Sequence, residues 1–170
     1  MRAFLVAVAV LGVIVSTAVV GSTQSKPANS SIQGAWKLTE VVRTGADATT
    51  NKSPQPSLYM FTARHYSIMS DNGTDTRKAR TPAKDQAQLT QAEKVAAFAE
   101  WDLITANAGT YSIQGTTLTR RPLIAKNVNV MTNPPVVGEF QIKGDTLVLT
   151  NKSGAGQPAS ETRLTLTRVE

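Results

Sequence analysis

From Ile32 to Val169 the chain runs in short stretches in which β-branched and aromatic residues alternate with polar ones, and Gly, Asn, Asp or Pro separates one stretch from the next. A period of two places alternate side chains on opposite faces of a strand, so each stretch offers one face for burial and one for water. This pattern predicts strands near Ile32 to Val42, Ser57 to Thr62, His65 to Ser70, Gly109 to Gln114, Thr116 to Arg121, Lys126 to Met131, Val136 to Ile142, Thr146 to Asn151 and Thr162 to Val169. Gln114-Gly115 and Lys143-Gly144-Asp145 carry hairpin-turn chemistry. So many short antiparallel strands are most economically arranged by closing the sheet on itself, because closure removes exposed edges. The expected fold class is all-β, a closed or nearly closed antiparallel β-barrel of about 8–9 strands. A barrel of that size holds either a packed interior or one ligand cavity.

One segment breaks the alternation. Thr90-Gln-Ala-Glu93 has the form of a capping box, in which the Thr90 hydroxyl and the Glu93 carboxylate each satisfy an amide that the first helical turn leaves free. One α-helix is expected near Thr90–Leu103, with Ala92, Val95, Ala96, Phe98, Ala99 and Leu103 as an apolar stripe resting on the sheet. Ahead of it, Asp71 to Gln88 is polar, charged and aperiodic, and reads as a loop.

The domain proper occupies 32–170. Residues 1–21 read as a secretory signal peptide: Arg2 precedes an uncharged apolar run from Ala3 to Val20, and Val19 and Gly21 suit cleavage before Ser22. The competing reading is an uncleaved membrane anchor, since the run approaches the roughly 20 residues that cross a bilayer. Residues 22–31, rich in Ser, Asn, Gln and Pro, form a flexible tether. The expected location is exported, periplasmic or secreted, and the processed chain is not an integral membrane protein. Its charge is +5, because loss of Arg2 leaves 17 of the 18 Lys+Arg against 12 Asp+Glu. The chain has no cysteine, which excludes a disulfide framework, a zinc ribbon, an iron–sulfur site, a thiol nucleophile and a lipid-bearing cysteine. A single histidine leaves little for histidine-rich metal chemistry, and neither a metal nor a cofactor is expected.

Gly34-Ala-Trp36-Lys-Leu38, at the start of the first strand, matches the Gly-x-Trp opening of lipocalins and their relatives. With it, Leu58-Tyr-Met-Phe-Thr-Ala-Arg-His-Tyr-Ser67, Ala106-Asn-Ala-Gly-Thr-Tyr111, Arg121-Pro-Leu-Ile-Ala-Lys-Asn127 and Leu164-Thr-Leu-Thr-Arg168 resemble the bacterial lipocalin-like domain proteins over nearly the whole processed chain. The resemblance implies a lipocalin-like, up-and-down antiparallel β-barrel of about eight strands with a helix at one end, in a family whose biochemical role is mostly unassigned. The sequence departs from true lipocalins in lacking their disulfide and their later short motifs. In such a barrel Trp36 sits at the closed end, where Arg168 or Arg163 can stack on its face. Ala63-Arg64 becomes the turn after the second barrel strand, which gives His65 a turn or packing role rather than proton transfer or ligation.

Glu40 shares strand parity with Trp36, Leu38 and Val42, so it is the candidate for an internal polar contact or an acid/base group, unless the strand has already reached the wet rim there. Tyr59, Phe61, Tyr66, Met69, Tyr111 and Met131 are the candidates for lining an apolar cavity, or equally for packed core. Tyr59 and Phe61 share one face of their strand and Leu58 and Met60 the other, and either face can be the inner one. Arg77, Lys78, Arg80 and Lys84 form the densest basic cluster, a solvated loop or a contact for anionic partners. No aromatic is interleaved with it, so nucleic-acid binding is not expected. Asp71-Asn-Gly73-Thr-Asp75 fails as a calcium loop, because its glycine is misplaced and position twelve is Pro82.

These features favour an exported barrel that binds a small, partly apolar molecule, with Glu40 or a tyrosine hydroxyl fixing its orientation and the 71–88 loop and the helix as a cover. The alternatives are a small barrel enzyme of isomerase or cyclase type, with Glu40 as its acid/base group, and a structural envelope protein whose barrel is filled.

Overall fold

The structure, a computed structural model, describes residues 31–77, 88–154 and 156–170. The expected signal peptide, nearly all of the tether, and Lys78, Arg80 and Lys84 of the basic cluster lie outside the described residues. Nine strands occur in chain order: β1 Gly34–Arg43, β2 Thr49–Asn51, β3 Ser57–Phe61, β4 His65–Asp71, β5 Ile104–Gln114, β6 Thr117–Ala125, β7 Val136–Lys143, β8 Thr146–Lys152 and β9 Glu161–Arg168. Helix α1 (Gln91–Asp102) lies between β4 and β5, and the one-turn helix α2 (Val128–Thr132) between β6 and β7. Every pairing is antiparallel, and β9 returns to β1 from Trp36↔Arg168 to Arg43↔Thr162. The result is a closed eight-stranded barrel, with β2 added as a ninth strand on the rim half of β1.

The alternation decides which face is inside. Ser57, Tyr59 and Phe61 of β3 and Tyr66, Ile68 and Ser70 of β4 are buried, whereas Leu58, Met60 and Met69 between them are exposed. The core gathers Ile32, Trp36, Leu38, Phe61, Leu118, Leu147, Leu149 and Leu166 toward one end. That end is closed by the tight 62–65 turn and by the β5–β6 and β7–β8 hairpins, whose Gly115 (φ +60°) and Gly144 (φ +58°) adopt the left-handed conformation that such turns need.

Trp36 is fully buried there, donates through Nε1 to Ile32 O at 2.8 Å, and carries the Arg168 guanidinium on its face. The closed-end stacking expected of Arg168 or Arg163 is thus made by Arg168. His65 is exposed, and its backbone N–H and C=O both bond Thr62 to make the turn.

Three sequence expectations are corrected. The stretch 126–131 is not a strand: the Asn127 side chain accepts from Asn129 N and caps α2, so Val128 and Val130 alternate with asparagines without pairing. Strand β5 starts at Ile104, five residues before the expected Gly109. Finally, α1 does not rest its stripe on the sheet. Its capping box forms as expected, but none of its residues is buried, Val95 is 58% and Phe98 67% exposed. Apolar side chains do stand on the outer wall, Leu58, Met60 and Met69 among them, but the stripe of α1 is not buried against them. The helix is instead held by its C-terminal end at the open rim, where Lys126 Nζ donates to Trp101 O (3.1 Å) and Asp102 O (2.8 Å) and pairs with Asp102 Oδ1 at 3.1 Å. A cation at that end also offsets the negative pole of the helix dipole.

Candidate functional site in the barrel interior

The interior divides into two zones. Below lies the apolar plug around Trp36. Toward the open rim the inward positions turn polar. The Ser57 and Ser70 hydroxyls are buried and 2.8 Å apart, and Ser70 also bonds the Tyr59 hydroxyl.

Arg120 completes this zone. It shares parity with Leu118, which is buried in the core, and it pairs with Tyr111, which packs against that core. Its guanidinium carbon lies 5.9 Å from the centre of the Tyr66 ring, and its Nη2 donates to Asn151 Oδ1 at 3.3 Å. Asn151 is free to stand there because the facing residue is Gly138: a Cβ at that position would fall 2.7 Å from Asn151 Oδ1.

A guanidinium carries five N–H donors, and among the described residues Asn151 is the one acceptor it bonds. Among the described residues no carboxylate lies within 4.0 Å of it. The residue as a whole keeps some exposure, yet burial lowers the pKa of its guanidinium, opposed by the neighbouring Tyr66 and Tyr59. None of its unbonded nitrogens is completely buried. Burial in turn raises the phenol pKa of Tyr59 and Tyr66, and the Arg120 charge opposes both shifts. The site therefore presents one cationic fork, two neutral phenols, two serine hydroxyls and an amide, bordered by apolar core.

At the rim a pocket of about 600 Å³ lies between the barrel and the helices, lined among others by Phe98, Trp101, Ile104, Asn107, Lys126 and Val130. Asn107 pairs with inward Ile68, which places it on the inner face and joins this pocket to the barrel mouth.

The candidates named from sequence separate clearly. Tyr59 and Tyr66 meet at Arg120. Phe61 and Tyr111 lie at the plugged end, with ring centres 5.4 Å apart and edge to face, and Tyr111 donates its hydroxyl to Thr62 O at 2.6 Å. Met69 is 58% exposed on the outer wall, and Met131 is exposed on α2. Glu40 does not face inward. A bulge at Thr39, whose hydroxyl donates to Thr165 O at 3.0 Å, shifts the register of β1 so that Val41 joins the core and Glu40 turns out beside Thr165. Of the basic cluster, Arg77 is described, 4.0 Å from Asp71 Oδ2.

Arg120 is the residue that sequence reasoning passed over, although the signal was present. Leu118, Arg120 and Pro122 share one face of a strand, and one of the two adjacent arginines had to point into the barrel.

No protein-family model matches this chain, and no curated protein matches it. The closed eight-stranded antiparallel barrel is compatible with a lipocalin-like fold. No helix among the described residues is long and apolar enough to cross a membrane.

Proposed function

We propose that this chain is an exported barrel of the bacterial lipocalin-like kind that binds a small, partly apolar molecule in the rim-side half of its interior, with α1 and the rim pocket as the entrance. The observation that carries this reading is the division of the interior. A barrel that serves only as a solid envelope component is most stable when its inside is filled with hydrocarbon, because buried polar groups need partners. Here the apolar plug stops part-way, and above it the chain places a desolvated guanidinium, phenols and hydroxyls with few protein partners for the cation. Convergent polar groups set against an apolar wall suit a ligand with one polar end. The uncharged run from Ala3 to Val20 and the small residues before Ser22 support export. The Gly34-Ala-Trp36 opening and the Trp36–Arg168 stack support the family assignment.

Titration with the neutral dye Nile red tests this reading. The folded protein is expected to bind it with blue-shifted, saturable emission, and Asn107→Trp, which narrows the mouth, is expected to weaken that binding. A folded barrel that gives no saturable signal contradicts the reading.

A further inference from the structure

We propose that the polar end of the ligand is a single carboxylate, seated on Arg120 with the Tyr59 and Tyr66 hydroxyls beside it. This rests on the cavity-binding reading above and specifies the chemistry of its ligand.

A guanidinium is always charged in a protein and is costly to withdraw from water without an anion. Arg120 is withdrawn all the same, with one amide oxygen as its bonded acceptor and no carboxylate within 4.0 Å among the described residues. The Tyr66 ring at 5.9 Å offers the cation its face, a weaker partner than an anion. The unbonded nitrogens are not completely buried, so the missing acceptor can come from outside the chain. The surroundings are also built to hold the fork still: Asn151 fixes one nitrogen, and the Cβ that would displace Asn151 is absent at Gly138.

The charge on the ligand follows from what lies around the fork. Among the described residues Arg120 is the one cation in this polar zone, since Arg168 serves the plug at the opposite end. One guanidinium neutralises one negative charge and matches a carboxylate two bonds at a time, whereas a phosphate monoester would bring a second charge with nothing to meet it. Tyr59 and Tyr66 stay protonated well into alkaline conditions, because burial raises both pKa values, so their hydroxyls are available as donors to an anion.

The test compares octanoate with its uncharged counterparts octanol and methyl octanoate by isothermal titration, at low and high salt, on the wild type, Arg120→Met and Arg120→Lys. Loss of a charge-assisted pair corresponds to roughly tenfold to a hundredfold in affinity. The wild type is expected to prefer octanoate over both neutral compounds by at least about tenfold. Arg120→Met is expected to bind all three about equally, and Arg120→Lys to keep part of the preference, with near-ultraviolet circular dichroism confirming that each variant is folded. Equal binding of the acid and its neutral counterparts by the wild type, or a preference that survives in Arg120→Met, overturns the assignment while leaving the cavity intact. Binding of Nile red but of none of the three compounds also overturns it. Failure of the wild type to bind any of them, Nile red included, overturns the cavity reading itself.

Discussion

The guanidinium carbon of Arg168 lies 4.0 Å from the centre of the Trp36 ring, which it meets across the β1–β9 seam that closes the barrel. The same guanidinium donates to Gln33 O at 2.6 Å and Ser31 O at 2.8 Å, and its Nε is 3.6 Å from Asp145 Oδ1. One side chain thus joins the entry segment, the first strand and the β7–β8 hairpin to the last strand. In a chain without cysteine, non-covalent contacts of this kind stand where cross-links would otherwise hold the termini.

Arg168→Met keeps much of the stem over Trp36 but leaves the two carbonyls without their charged donor. Charge-assisted hydrogen bonds and a desolvated cation–π contact together predict a loss of about 2–4 kcal/mol. Arg168→Lys, which keeps the charge without the planar fork, should fall between. Urea denaturation measures both, and an unchanged midpoint for Arg168→Met would remove the plug from the account.

Gly138→Ala brings a Cβ to 2.7 Å from Asn151 Oδ1 and 2.8 Å from Thr150 O. Overpacking of this kind predicts a loss of about 1–3 kcal/mol. It also predicts displacement of Asn151 from Arg120, seen in a crystal structure of the variant as a longer Arg120–Asn151 separation.

The barrel was largely legible because closure turns a local period of two into a global inside and outside, and strands β3, β4, β7 and β8 follow it closely. What escaped was of two physical kinds. Lys126-Asn-Val-Asn-Val-Met131 alternates like a strand, yet Asn127 caps its own backbone and starts a helical turn, a choice between local hydrogen bonds that a hydropathy pattern does not encode. The bulge at Thr39 inserts one residue and reverses the parity of everything after it, so Glu40 and Val42 exchange faces with Val41. The site was half legible. Tyr59 and Tyr66 lie near Arg120 inside the barrel, whereas Met69 and Met131 were chosen for chemical character without a face to place them on. Arg120 required only the parity argument, applied to a charged residue.

Tyr59 and Tyr66 have pKa values raised above 10.0 by burial, and the unfolded chain returns them toward that value. Their contribution to stability is therefore complete below the unfolded-state pKa and is lost as pH rises through the folded-state pKa. Stability should fall through the alkaline range above about pH 10, and Tyr59→Phe should flatten the fall. Urea midpoints measured against pH check this; a wild-type curve matching that of Tyr59→Phe would contradict it.

Thr90→Ala removes the hydroxyl half of the capping box on α1, where Thr90 Oγ1 accepts from Glu93 N at 3.3 Å, and leaves the Thr90 backbone N–H bonded to the Glu93 carboxylate. Loss of such a cap costs about 1 kcal/mol, but α1 buries none of its residues. The effect should therefore stay local: faster amide exchange across 91–102 with little change in the melting temperature of the barrel. A matching drop in global stability would show that α1 is part of the core unit.

The central claim is that the rim-side interior holds a small molecule. Its most direct test is native mass spectrometry of the processed protein purified from its own host, followed by denaturing release and identification of whatever was bound. The account predicts a reproducible extra mass that leaves on denaturation and proves to be a partly apolar compound with an acidic group. Bare protein in every preparation, with ordered side chains filling the space beside Arg120 in a crystal structure, would contradict it.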